Sequence, residues 1–190
     1  MKLIFTLLLS VFYLFPQTPA VSQDKKDKKT KAVLSDERFP TPPDNANTLF
    51  YVQRDPNTNT IVYEVNLDKN GKPDAEAPLD IYWIKYAEKG QKEDLNYIQR
   101  KFAYGVSSKK ITDEQFDLRF VSYKKLPLLL KKAEDNKYHI FVTADQKQIM
   151  LNRIFVRVEG GSFWLPNIVY VELKGIEQST GKEITHRFKP

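Results

Sequence analysis

Along most of the chain, apolar side chains recur at every second position in short runs separated by Asn, Asp, Gly and Pro. That pattern predicts strands joined by turns. Two runs, 47–54 and 60–67, flank a loop containing Pro56, Asn57 and Asn59 and predict a hairpin. In its second arm Ile61, Tyr63, Val65 and Leu67 share one face, the expected inner one, while Val62, Glu64 and Asn66 share the other. A third strand starts at Asp80. Further strands are expected at 116–121, 126–132, 138–143, 148–159, 167–176 and 183–188. Nine strands and one helix result, with antiparallel connections, because no strand and helix alternate. The expected fold is mainly β: an antiparallel sandwich or closed barrel of about nine strands with one packed helix at an edge or mouth.

The exception to the two-residue period lies between Asp80 and Gly105. Its first half alternates as a strand, but Leu95, Ile98 and Phe102 follow the i, i+3, i+7 spacing of one helix face, which is expected to point into the core. Gly105 suits the position just past a helix end. With that face inward, Tyr97, Arg100 and Tyr104 form a stripe on the flank, with Lys101 beside them.

The start of the chain follows another rule. Lys2 precedes an apolar run from Leu3 to Phe15 that Pro16 closes, and Ala20 and Ser22 are small. This is the pattern of a secretory signal peptide over residues 1–22, too short for the roughly 20 apolar residues of a membrane-spanning helix. The expected location is periplasmic or secreted, with no stable membrane span after cleavage. Residues 23–43 are rich in Lys, Asp, Thr and Pro and are expected to be a disordered linker, leaving 44–190 as a single β-rich domain.

Composition sharpens this picture at three points. With 41% hydrophobic and 13% aromatic residues the chain has material for one core. It has no cysteine, which excludes lipid modification at cysteine, disulfides and thiolate chemistry. The net charge of +6 is concentrated: Asp24 to Lys31 has five Lys against two Asp, whereas 39–190 has 23 basic against 20 acidic residues. The near balance of that larger part argues against nucleic acid as a partner.

The words Leu49-Phe50-Tyr51-Val52-Gln53-Arg54, Asn57 to Tyr63, Tyr82-Trp83-Ile84, Tyr97 to Lys101 and Ala103-Tyr104-Gly105 occur in the order hairpin, strand, helix. In this the chain resembles the bacterial domain of unknown function 4833 family, from about Pro40 to Phe188. The resemblance implies an uncharacterised exported protein of this size and carries over no catalytic residue.

Few residues invite chemistry. The loop from Asp68 to Asp74 offers oxygen ligands, but Lys69 and Lys72 and the missing downstream Glu make it a plain turn rather than a calcium site. His139 and His186 have no paired His at helical or hairpin spacing and are expected to be structural or solvent-facing. No nucleophile turn, phosphate loop or dinucleotide fingerprint occurs, and no cofactor, metal site or catalytic residue is expected. The candidate ligand-binding set is therefore Tyr97, Arg100, Lys101 and Tyr104 on the helix, with Trp83 and Lys85 on the strand before it. Guanidinium forks bind carboxylate or phosphate, and aromatic faces stack on rings. The competing view is that these side chains snorkel over the sheet and that Trp83 and Trp164 are core mass. The expected function is non-enzymatic binding of a small molecule, glycan or envelope protein; a carboxylate-dependent hydrolase with its site in a barrel mouth or cleft is the alternative.

Overall fold

The computed structural model describes residues 39–162 and 165–190. The signal segment, the charged spacer up to residue 38, and Trp164 lie outside the described residues. Eleven strands form one sheet: β1 Thr48–Arg54, β2 Asn57–Val65, β3 Leu79–Lys85, β4 Gln91–Asp94, β5 Val106–Thr112, β6 Gln115–Phe120, β7 Pro127–Lys132, β8 Tyr138–Ala144, β9 Lys147–Gly161, β10 Pro166–Glu177 and β11 Glu183–Phe188. Nine follow the path β4-β3-β2-β1-β9-β8-β7-β6-β5, and β10 pairs with both β9 and β11.

The long strand β9 is the branch point. Its first part pairs antiparallel with β8, from Ala144↔Lys147 to Phe141↔Met150, and its middle pairs with β1 from Tyr51↔Arg153 to Arg54↔Val156. Two meanders thus leave β9 as wings of a curled sheet. Their inner faces meet in one core, where Phe50 stacks on Tyr63 at 4.4 Å and Phe120 meets both rings edge-on at 6.2 and 5.8 Å. β4 and β5 are the free ends of the path, so the sheet is a half-barrel. Of the two architectures expected from sequence, sandwich or closed barrel, the closed barrel is corrected to this single open sheet. The β1–β9 ladder is also parallel, an exception to the expected antiparallel pairing. A hairpin dictates antiparallel neighbours, but β1 and β9 are joined through the whole of both meanders.

The two strands not expected, β4 and β5, are the two ends of the nine-strand path. Residues of Gln91–Asp94 are all exposed, and Val106–Thr112 is exposed after its first residue, so neither has an inner face to impose alternation. Lysines at 92, 109 and 110 suit such edges, because charge disfavours pairing with another chain. On β2 the inner Ile61, Tyr63 and Val65 are buried as expected, and Leu67, beyond the strand end, is exposed. The opposite face is not simply polar. Val62 is fully buried with Tyr82 and Ile84, flanked by Tyr51 and Tyr86.

Part of the presumed linker belongs to the folded body. Phe39 is buried and meets the Phe155 ring edge-on at 5.1 Å. The Pro40 carbonyl accepts the Gln53 amide at 2.9 Å, and the Thr41 carbonyl accepts the Tyr86 hydroxyl at 3.3 Å. Gln53, 1% exposed, also donates to Thr60 Oγ1, so docking of the segment at Pro40 gives that buried amide a second partner.

Candidate functional site

The helix α1 occupies residues 97–104, one α-helical turn at Tyr97–Gln99 running into a π-helical turn at Arg100–Tyr104. Its start is fixed by a reciprocal cap: the Asn96 side chain accepts from the Gln99 backbone at 2.9 Å, while the Gln99 side chain accepts from the Asn96 backbone at 3.0 Å. Its end is fixed by Gly105, where any Cβ would stand 1.9 Å from the Arg100 carbonyl oxygen. Only glycine lets the chain close against the π turn. Such turns are rare and concentrate at functional sites.

Three side chains tie α1 to the sheet. Tyr63 donates its hydroxyl to the Tyr104 carbonyl at 2.8 Å, Ser122 donates to the Ala103 carbonyl at 2.6 Å, and Trp83 Nε1 donates to Gln99 Oε1 at 3.3 Å. Burial, and after it the neighbouring Tyr104, raises the Tyr63 phenol well above its ordinary pKa and keeps it a neutral donor. The Tyr104 ring meets Trp83 edge-on at 5.1 Å.

The helix held in this way does not seal the core. Leu95 is buried as expected, but Ile98 is 49% and Phe102 55% exposed. The expectation that Ile98 and Phe102 point into the core is therefore corrected. They overhang a cleft of about 450 Å³, whose walls include Val52 and Arg54 of β1, Ile154 and Val156 of β9, Val171 of β10, and Phe188 of β11. Tyr63 and Phe120 also border it, and Tyr123 stacks on Phe188 at 6.2 Å. Leu165, 79% exposed, stands at its border after the turn at Gly160 and Gly161. Of that apolar row, Leu95 precedes the helix and reaches the core, whereas Ile98 and Phe102 on the helix line the cleft that the open half-barrel leaves.

The six candidate residues are scattered with respect to this cleft. Tyr104 lines it, and Trp83, 8% exposed, lies behind Tyr104 in the core. Tyr97, 70% exposed, accepts a hydrogen bond from Lys101 Nζ at 2.8 Å, and that ammonium also lies 5.4 Å from the Phe102 ring centre. Arg100 is exposed on the helix. Lys85 sits between Glu93 at 2.5 Å and Glu88 at 3.6 Å, and the Glu93 hydrogen bond raises its pKa. Residues that sequence reasoning passed over are Arg54, Tyr123 and Phe188. Arg54 left a signal: it closes the row Phe50, Val52, Arg54 on one strand face with a charge.

Each histidine has a carboxylate neighbour, His139 with Asp135 and His186 with Asp145, both at 2.8 Å. His186 and Asp145 border a smaller recess of about 270 Å³ that shares Tyr123, Leu126 and Phe188 with the main cleft. Among the described residues no group of three or more His, Asp or Glu is arranged to hold a metal ion.

Fold and site together define an open β half-barrel with an apolar cleft under a short capped helix. The chain belongs to a family described as a domain of unknown function, DUF4833, whose model matches residues 50–187 and so includes both wings, the helix and most of the cleft. No similar curated protein and no similar solved structure was found.

Proposed function

We propose that this protein is an exported, non-enzymatic binding domain that takes an apolar or amphipathic small molecule in the cleft beneath α1. The observation that carries the reading is the lining itself: a concave site of about 450 Å³ whose walls are mostly aliphatic and aromatic, with a few hydroxyl, amide and guanidinium groups at fixed places. Small-molecule sites have this size and this balance. A glycan would need more polar partners than this lining offers. The hydrolase alternative needs two carboxylates flanking a scissile bond, and among the described lining residues there is no Asp or Glu. Export rests on the Leu3 to Phe15 run closed by Pro16 and on the small residues Ala20 and Ser22 that follow it.

The test uses N-phenyl-1-naphthylamine, a neutral apolar fluorophore. Saturable one-site binding is expected to the wild type and not to Val156→Trp, which fills the cleft, with the circular dichroism spectrum unchanged. Binding that survives Val156→Trp, or that never saturates, would remove the cleft from consideration. For export, mass spectrometry of the mature chain is expected to find its first residue between Val21 and Gln23. Recovery of soluble exported protein still carrying residues 1–15 would refute it.

A further inference from the structure

Among the described residues that line the cleft one side chain is charged, Arg54. Along the parallel β1–β9 ladder Val52 lies beside Ile154 and Arg54 beside Val156, and all four line the cleft. Arg54 is thus built into an apolar wall, partly buried. Among the described residues it has no ion-pair partner. The carboxylate next to it in the chain, Asp55, is bound instead by Arg157, which also holds Glu159 at 3.0 Å.

We infer that Arg54 receives the anionic head of an amphiphile whose hydrocarbon tail lies along Ile154, Val156, Val171 and Phe102. This deepens the reading above and rests on it. A guanidinium cannot shed its charge, and its planar fork matches the two oxygens of a carboxylate or the oxygens of a phosphate or sulfate. Its aliphatic stem packs against apolar neighbours while its head waits for a partner. In a cleft of low polarity the attraction between opposite charges is stronger than on an exposed surface. The ligand class is a single-chain acid, with a fatty carboxylate as the simplest member. No carboxylate among the described residues pairs with Arg54, which leaves the ligand to supply one.

Dodecanoate and dodecan-1-ol, which share a tail and differ in charge, separate this inference from the reading it rests on. Titration at pH 8 and low salt, below the micellar range of either, is expected to show wild type binding dodecanoate at least tenfold more tightly than dodecanol. Arg54→Gln should erase the difference by weakening dodecanoate alone, and Arg54→Lys should restore part of it. Equal binding of the two probes by wild type, or an equal loss of both in Arg54→Gln, overturns the anion site and leaves the cleft standing. Failure of wild type to bind either probe overturns the cleft reading and this one with it. The comparison of probes on wild type requires no variant, so it decides the matter even if Arg54→Gln folds poorly.

Discussion

Phe102→Ala separates an open cleft from a closed core. Helical spacing alone would put Phe102 inside, where truncation of a large aromatic costs about 3–5 kcal/mol. In the structure it is 55% exposed, so roughly half of its side chain rests on protein. Full burial of a phenylalanine is worth about 1.5–3 kcal/mol, and half of that is about 1 kcal/mol. No sealed cavity adds to the loss, because the space left behind is continuous with a cleft that is already open. Phe116, fully buried on β6, is the internal reference and should cost about 3–5 kcal/mol. Urea unfolding measures both. With a slope of about 2 kcal/mol per molar, Phe102→Ala should move the midpoint by about 0.5 M and Phe116→Ala by at least about 1.5 M. The fluorophore should bind more weakly to Phe102→Ala. Equal midpoint losses for the two variants would show that α1 seals the core in solution, and the cleft would not exist.

Tyr63→Phe removes the hydroxyl that the Tyr104 carbonyl accepts, at an expected cost of about 1–2 kcal/mol, and amide exchange should quicken across residues 99–105 first; unchanged exchange there would mean the bond does not anchor the helix. Gly105→Ala places a Cβ against the Arg100 carbonyl and should destabilise by about 3 kcal/mol or more in thermal melts, and a cost near zero would exclude the π turn. At low pH, stability should fall from roughly pH 5 toward pH 2. Glu177 is held low by the Thr180 hydroxyl and then Lys147, Asp113 by Lys110 and then Lys72, and Asp135 by the Lys137 backbone and then His139. Carboxyl groups with lowered pKa give stability above their unfolded values near 4, lost as pH falls through the folded ones; a flat urea midpoint over this range would refute the pairing. At high pH the sign reverses. Tyr63 and Tyr82 are raised mainly by burial, so stability is complete below roughly pH 10 and falls above it, and tyrosinate absorbance should appear together with unfolding rather than before it.

What the sequence determined by itself was everything with a local period. Most of the nine expected strands announced themselves through a buried face that enforces alternation, as in Ile61, Tyr63 and Val65, while β11 alternates only between half-buried and exposed positions. The helix announced itself through Leu95, Ile98 and Phe102 and its end through Gly105, while the Asn96–Gln99 cap at its start emerged only from the structure. The words shared with the family survive in order for the same reason. The edge strands β4 and β5 stayed hidden because a strand exposed on both faces carries no apolar signal. Phe39 and Pro40 read as linker because two residues cannot show a period, and only contact with Phe155 and Gln53 reveals their role.

The site depended on tertiary structure throughout. An apolar row on a helix looks the same whether it meets a packed sheet or an empty space, and what stands opposite is set by residues up to 90 positions further along. The parallel union of β1 with β9 brings Arg54 beside Val156, and the failure of β4 and β5 to meet leaves the curled sheet open. Both arise from long-range pairing, which no spacing within one segment encodes. Sequence periodicity told which side chains avoid water, and the open half-barrel decided which of them remain available to a ligand.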